Sequence, residues 1–274
     1  MGIVNVTPDS FSDGGEFLDP ARAIEHGLRL VDEGADVLDI GGESTRPGAA
    51  EVSAEEELGR VVPVIEGLIA AGCAAEISID TSKADVADRA LAAGATIVND
   101  VTALGDERMA AACVRGEASL VLMHMKGTPR TMQDDPVYDD VVDEVREFLA
   151  EALARAVSEG VPEEVIWLDP GIGFGKTVEH NLELIDRLAE LRELGRPIVL
   201  GASRKRFLGT ITGREVHDRL GGSLAASVIG ASRGAEMLRV HDVAATREAL
   251  AVADAITGAR AWREPSAELG AASR

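Results

Sequence analysis

The chain predicts a single-domain (β/α)8 barrel, an α/β fold also called a TIM barrel. Eight apolar runs, rich in Val, Ile and Leu, lie at 3–7, 36–41, 76–81, 96–101, 119–124, 165–169, 197–202 and 236–241. They lack the polar alternation of half-exposed strands, which is typical of parallel strands covered on both faces. Four of them carry a polar residue at or near the end, before a turn-rich segment: Asn5, Asp80, Asn99 and Asp169. Because such barrels carry their chemistry after the strands, these residues predict one shared pocket.

Amphipathic segments rich in Ala, Glu, Arg and Leu separate the strands. They lie at 20–34, 54–71, 83–94, 139–160, 178–194, 221–234 and 244–257, with a weaker one near 106–115. We expect helix starts at Asp19 with Pro20, at Ser53 with Glu56, and at Ser82. Eight strand–helix units match a barrel, but the weak fourth helix leaves an open doubly wound sheet as an alternative. The predicted domain spans 1–257, followed by a polar tail over 258–274.

The charge balance is strongly acidic. The sequence has 27 Lys and Arg against 48 Asp and Glu, a net charge of −21. This excludes nonspecific binding to nucleic acid, which requires a basic surface. Four basic residues are lysines, each shortly after a predicted strand: Lys83, Lys126, Lys176 and Lys205. An acidic surface poor in lysine indicates adaptation to concentrated salt, although an arginine bias from a GC-rich genome is the alternative.

Other features of the chain bear on its compartment. No apolar run approaches the ~18 residues of a membrane span, and the first residues lack the basic region of a signal peptide. We therefore expect a cytoplasmic protein without a membrane partner. Cys73 and Cys113 form no C-x-x-C pair and are expected to be inert thiols. A barrel usually has a segment before its first strand, so we expect that this chain lacks it or is truncated at Met1.

The segments after the strands are rich in Gly, Pro, Ser and Asp. Residues 5–15 are long enough to form a mobile lid, in which Asp9 and Asp13 could help to cover the site. Residues 169–177, DPGIGFGKT, resemble a phosphate-binding P-loop but have Pro where its first Gly is required. After the eighth strand, Arg239 and His241 share strand parity and are expected to point the same way.

In chain order, these motifs resemble those of the dihydropteroate synthase family, within the pterin-binding barrels. The resemblance covers residues 2 to about 257 and rests on MGIVNVTPDSFSDGG, DIGGESTRPG, ISIDTSK, IVNDV, LMHMKGTPRTMQ, LDPGIGFGKT, GASRKRFLG and RVHDV. It implies the barrel fold and a transferase reaction of folate biosynthesis. That reaction joins (7,8-dihydropterin-6-yl)methyl diphosphate to 4-aminobenzoate and releases diphosphate and 7,8-dihydropteroate.

The resemblance also implies a pterin and diphosphate site. Asp80, Asn99 and Asp169 would bind the pterin, with Asp169 at its 2-amino/N3 edge. Lys205 would reach the pterin and help to neutralise the diphosphate, which Arg239 and His241 would hold. The catalytic residues expected in this way are Asp169, Lys205, Arg239 and His241.

The remaining implied roles concern the metal, the second substrate and assembly. Asn5 would ligate Mg²⁺ beside the diphosphate, since one protein ligand plus phosphate oxygens is a usual magnesium arrangement. Thr45 and Arg46 would lie in a loop that closes on the substrates, and Ser203 would meet the aminobenzoate carboxylate. Phe174 is expected either in the core or against the pterin. The family also implies a homodimer.

Two other functions remain open from the sequence. A pterin-barrel methyltransferase would share the fold and the pterin-binding carboxylates and pass a methyl group to a corrinoid. It has no need of the 5–15 segment, STRPG or the RVHD motif, all of which are present. A pterin-binding paralogue without activity is the other alternative, for which the abrupt start at Met1 leaves some room.

Overall fold

The structure is a computed structural model that describes residues 1–7, 20–44, 52–128, 131–132 and 134–258. Within these residues it has eight strands, one for each predicted apolar run. They are β1 (Gly2–Asn5), β2 (Val37–Gly41), β3 (Glu76–Asp80), β4 (Ile97–Asp100), β5 (Ser119–Met123), β6 (Ile166–Asp169), β7 (Val199–Leu200) and β8 (Met237–Leu238). The last two strands are shorter than the runs that predict them.

All the strand pairs are parallel and the sheet closes on itself. Strands β1 to β6 form one sheet in chain order, and β7 pairs with β8. Parallel bridges between Leu168 and Ile198 and between Gly2 and Val240 join the two sheets at both edges. At the second junction the Ile3 N–H donates to the Val240 carbonyl at 3.0 Å. The predicted barrel is confirmed, and the open-sheet alternative is wrong.

The helices follow the strands as predicted, with one addition. Their bounds are α1 (Pro20–Asp32), α2 (Ala54–Ala70), α3 (Ala84–Ala92), α4 (Met109–Arg115), α5 (Val141–Ser158), α6 (Val178–Asp186), α7 (Arg206–Thr212), α8 (Leu220–Ser232) and α9 (Val243–Thr257). The weak fourth helix is present. Helix α7 was not predicted, because its two turns are too short to show an apolar period. No helix in the described ranges is long and apolar enough to cross a membrane.

The expected helix starts have different outcomes. The Ser53 side chain accepts the Glu56 N–H at 3.2 Å and caps α2, as predicted. The expectation for Ser82 is wrong, because Lys83 is the residue that precedes α3 and its side chain makes no capping bond. Asp106 accepts the Ala84 N–H at 3.0 Å instead. Asp19 lies outside the described residues, as does the predicted tail from 259 onward.

The barrel interior changes from apolar to polar along the strands. At the amino ends, Met1, Val37, Ile97, Val121 and Val199 form a buried cluster with Trp167 and Met237. Side chains two residues apart on a strand face the same way, so Asp39 and Asn99 lie above Val37 and Ile97. The polar layer therefore lies inside the barrel at the carboxyl ends of the strands, where the sequence predicts the site.

Candidate active site

Two carboxylates contact one arginine inside the barrel, and an amide and a third carboxylate lie close to them. Arg239 follows β8, and its Nε lies 2.5 Å from Asp39 Oδ2. Its Nη2 donates to Asp80 Oδ2 at 2.7 Å. Asn99 Nδ2 donates to the same Asp39 oxygen at 3.1 Å, and the charge of Asp169 also acts on Arg239. Four strands thus contribute polar side chains to one cluster.

Asp39 is the residue of this cluster that our sequence reasoning missed. It lies in the middle of β2, fully buried, and not at the end of a strand. Its Oδ1 atom has no hydrogen-bond partner in the described part of the chain. A lone carboxylate within the apolar run VLDIG was the available signal, because a buried charge requires a partner.

Burial dominates the acid–base properties of the cluster. Burial raises the pKa of Asp80, which Arg239 opposes and Asp39 reinforces. Burial likewise raises the pKa of Asp169, against the charges of Lys205 and Arg239. The Asp169 carboxylate accepts the Gly171 N–H at 2.7 Å, which stabilises its charged form. The Asp80 and Asp169 carboxylates are therefore strong hydrogen-bond acceptors for a flat ligand that carries N–H donors along its edge.

Lys205 enters the same region from the loop after β7. Its Nζ donates to the Ile172 carbonyl and lies 4.5 Å from the centroid of the Phe174 ring. Burial lowers the pKa of Lys205 to about 8, against the attraction of Asp169 and Asp80. Phe174 is partly exposed and lies against Lys205, so it is not a core residue. The alternative position, against the pterin, stays a prediction.

Ser203 and His241 contact each other across neighbouring loops. Ser203 Oγ lies 3.0 Å from His241 Nδ1 and accepts the His241 N–H at 3.2 Å. The sequence predicts that Arg239 and His241 act together on the diphosphate. In the structure, which holds no ligand, Arg239 contacts the interior carboxylates and His241 contacts Ser203. A shared role at the diphosphate stays a prediction.

The other lysines have structural partners. Lys176 is buried, and its Nζ lies 2.8 Å from His124 Nδ1 and 3.0 Å from the Phe174 carbonyl. Burial lowers the pKa of His124 to about 2, so its ring is neutral and can accept from this amine. Lys83 pairs with Glu43 at 2.7 Å and with the fully buried Glu57 at 2.6 Å. These lysines brace the loops around the pocket.

Asn5 ends β1 beside the same pocket. Gly41 pairs with it in register, and a Cβ on Gly41 would lie 3.8 Å from Asn5 Oδ1 and 3.6 Å from Asp80 Oδ2. The glycine therefore leaves space between an amide oxygen and a carboxylate oxygen. Hard oxygen donors of this kind suit Mg²⁺. No group of three or more His, Cys, Asp or Glu that could hold a metal occurs among the described residues.

Four of the expected residues cannot be located. Thr45 and Arg46, and also Asp9 and Asp13, lie outside the described residues.

Known proteins resemble this chain over nearly its whole length. A family model described as a pterin binding enzyme matches residues 1–241. The dihydropteroate synthase of Escherichia coli K12 is 46% identical over 260 residues, covering 95% of this chain and 92% of that protein. That of Neisseria meningitidis serogroup B is 47% identical over 263 residues, covering 93% and 92%.

Solved structures agree with this. The Xanthomonas albilineans dihydropteroate synthase with 4-aminobenzoic acid is 52% identical, with a TM-score of 0.88, over 93% of this chain and 92% of that one. The same enzyme in complex with 7,8-dihydropteroate is 49% identical, with a TM-score of 0.85, over 93% and 92%. The chain therefore belongs to the dihydropteroate synthase family of pterin-binding enzymes.

Proposed function

We propose that the protein is a dihydropteroate synthase, which condenses (7,8-dihydropterin-6-yl)methyl diphosphate with 4-aminobenzoate. The observation that carries this proposal is the interior cluster of Asp39, Asp80, Asn99 and Arg239 with Asp169 and Lys205 close by. It joins acceptors for a flat amide-like ring to cations for an anionic leaving group. The relatives described above that hold 4-aminobenzoic acid and 7,8-dihydropteroate support the same pair of chemistries.

The pterin would lie against the carboxylates. Asp169 would accept from the 2-amino/N3 edge of the ring, because its carboxylate is buried at the end of β6. Asp80 and Asn99 would take other polar positions on the ring. In the described structure Arg239 contacts the Asp80 carboxylate at 2.7 Å. A bound pterin ring would therefore share this carboxylate with Arg239 or displace the Arg239 side chain from it. Phe174 would supply an apolar wall beside Lys205.

The reaction would begin with departure of the diphosphate. The bond between the pterin methylene carbon and the diphosphate oxygen breaks, and the electron pair leaves with the diphosphate. The aniline nitrogen of aminobenzoate then bonds to the methylene carbon and loses a proton to solvent. Asp169 and its neighbours would stabilise the ring cation, while Lys205, Arg239 and His241 would stabilise the leaving group. Excluding water matters, because water would otherwise capture the cation.

Magnesium and the second substrate complete the proposed site. Asn5 would ligate Mg²⁺, which when bound supplies charge neutralisation at the diphosphate. Ser203 would donate to the aminobenzoate carboxylate, with His241 holding its hydroxyl group in place. Thr45 and Arg46 would contact the substrates from the loop after β2.

The test is diphosphate release from dihydropterin diphosphate, measured with and without 4-aminobenzoate in the presence of Mg²⁺. Release that depends on aminobenzoate and yields dihydropteroate is expected. Asp169→Asn and Lys205→Ala should abolish turnover without changing the circular dichroism spectrum. Methyl transfer to a corrinoid protein, or pterin binding without turnover, would contradict the proposal.

We also propose that the protein is a cytoplasmic homodimer. Helices α7, α8 and α9 expose large apolar side chains, including Ile211 (54% exposed), Ile229 (47%) and Ile256 (80%). Exposed apolar groups on neighbouring helices favour association with a second copy. Light scattering should give twice the mass of the chain, and Ile229→Lys should reduce it to that of one chain.

The free thiols of Cys73 and Cys113 suit a reducing compartment, which cell fractionation would test.

A further inference from the structure

Arg204 has a backbone conformation that arginine rarely adopts. Its φ angle is 57°, in the left-handed region. A residue with a side chain pays a conformational cost there, so it needs neighbours that hold it in place. Arg204 lies between Ser203 and Lys205, two residues of the proposed site, and none of the roles above explains it.

Three groups of Arg204 are held by other elements. Its N–H donates to Ser223 Oγ at 2.9 Å, and its carbonyl accepts from Arg219 Nη1 at 3.1 Å. Ser223 is buried within α8, and Arg219 lies directly before that helix. The guanidinium makes a bidentate ion pair with Asp242, 3.0 Å from Nε to Oδ2 and 2.5 Å from Nη2 to Oδ1. Bidentate pairs of this kind fix orientation as well as charge.

The ion pair joins the loops after β7 and β8 beside a second contact. Ser203 contacts His241 at 3.0 Å, and Arg204 pairs with Asp242, the next residue along each loop. The Ser203 side chain contacts His241 and the Lys205 side chain reaches the Ile172 carbonyl, while the Arg204 side chain reaches Asp242 at the start of α9. The left-handed turn thus presents the two flanking side chains to the site together.

We propose that Arg204 is a positioning residue for both substrates. Its ion pair with Asp242 holds the left-handed turn that places Ser203 for the aminobenzoate carboxylate and Lys205 for the diphosphate. This proposal rests on the proposed function. Arg204 does not itself touch the reacting atoms and acts through its two neighbours.

The test is a double-mutant cycle on diphosphate release with Arg204→Met, Asp242→Ala and the double variant. Each single variant should lower kcat/KM about tenfold or more, because small displacements of positioned groups are costly. The double variant should be no worse than the poorer single variant, since both changes break one contact. Arg204→Lys keeps the charge but loses the bidentate geometry and should recover part of the activity.

An ion pair of similar distance at the carboxyl ends of α6 and α8, away from the site, provides the control. Arg233 contacts Asp186 at 2.7 Å in an exposed ion pair at the end of α8. Arg233→Met and Asp186→Ala should leave kcat/KM unchanged. Thermal unfolding of all the variants separates lost positioning from lost folding. The Arg204→Lys variant keeps the comparison valid if Arg204→Met folds poorly.

Two results distinguish the failure of this proposal from failure of the proposed function. Wild-type kcat/KM in the Arg204→Met variant of an active enzyme would overturn the positioning role alone. If the wild-type protein releases no diphosphate with aminobenzoate, the proposed function fails. In that case the positioning role of Arg204 is tested by the dissociation constant for dihydropterin diphosphate, measured by fluorescence quenching. We expect this constant to be about tenfold larger in Arg204→Met than in the wild type. An unchanged constant would overturn the proposal.

Discussion

Asp39 contacts Asn99 and Arg239, two site residues that the sequence predicted, whereas Asp39 itself was not predicted. Asn99 lies near the end of β4 and Arg239 directly follows β8, where a polar residue predicts a site on a parallel barrel. Asp39 lies in the middle of β2 and makes contact with both of them. The pairing depends on which strands are neighbours across the closed barrel, and that is a property of the tertiary structure.

Asp39→Asn should impair both stability and turnover. The change removes the charge that Arg239 Nε contacts at 2.5 Å inside the barrel. Weakening a buried ion pair should lower the free energy of unfolding by about 2 kcal/mol or more. Because an asparagine side chain offers Arg239 and Asn99 a single uncharged oxygen in place of the carboxylate, both are held less firmly, and kcat/KM should fall at least about tenfold. Urea unfolding and diphosphate release measure the two effects.

Asp85→Asn is the matched control for that change. Asp85 pairs with Arg108 at 2.6 Å, but both side chains are mostly exposed. Exposed pairs contribute little to stability, so the urea midpoint and the rate should stay close to those of the wild type. Equal effects of the two variants would show that Asp39 has no special role.

The pH dependence of the reaction should report the protonation of Lys205. Burial lowers the pKa of this lysine from 10.5 to about 8. It is therefore charged below pH 8 and loses its charge as the pH rises through that value. Since the charged form is the one that stabilises the diphosphate, kcat/KM should decline above about pH 8.

Initial rates of diphosphate release, taken from about two pH units below to about two above the Lys205 pKa of about 8, measure this decline. Lys205→Arg keeps a positive charge throughout this range, because arginine does not lose its proton there. Its residual activity should show no decline near pH 8. A decline of the same shape in this variant would assign it to another group.

At the scale of elements, the hydrophobic pattern predicted the strands better than the loops. Near-continuous apolar runs located all eight strands, because burial on both faces leaves a strong signal. Helix α7 and the start of α3 were missed for different reasons. Helix α7 is too short to show a periodic pattern of apolar residues. At the start of α3 the Ala84 N–H donates to Asp106, which is 22 residues away along the chain. Such distant partners leave no local pattern.

Lys83 connects three elements around the base of the site. It follows β3, precedes α3, and pairs with Glu57 of α2, whose side chain is fully buried. Glu43, its second partner, follows β2. Lys83→Met would leave the buried Glu57 carboxylate without a cation, which should cost about 3 kcal/mol in the free energy of unfolding.

Lys126→Met provides the comparison in urea unfolding. Lys126 pairs with Glu144 at 3.2 Å, and both side chains are about two-fifths exposed. Its removal should lower stability much less than removal of Lys83. The double variant Lys83→Met with Glu57→Gln should recover part of the loss, because it also removes the buried charge. Equal losses in Lys83→Met and Lys126→Met would mean that burial of Glu57 is not the cause.

At the scale of the whole molecule, the acidic surface and the anionic substrate oppose each other. The net charge of −21 repels a diphosphate at long range in dilute salt. The screening length is about 10 Å at 0.1 M and about 3 Å at 1 M salt, so the distant carboxylates are screened first. A direct contact between a cation such as Lys205 and a phosphate oxygen at about 4 Å keeps about 4 kcal/mol at an effective dielectric constant of 20.

Diphosphate release should therefore rise between dilute and molar KCl, mainly through a lower KM for the dihydropterin diphosphate. The closed barrel shields the contacts inside the pocket, whereas the surface charges are exposed to the added salt. A neutral solute such as sucrose should not reproduce the effect, because it does not screen charge. Activity that falls steadily with KCl would contradict both this prediction and the adaptation to concentrated salt inferred from the composition. In that case an arginine bias of the genome would better explain the scarcity of lysine.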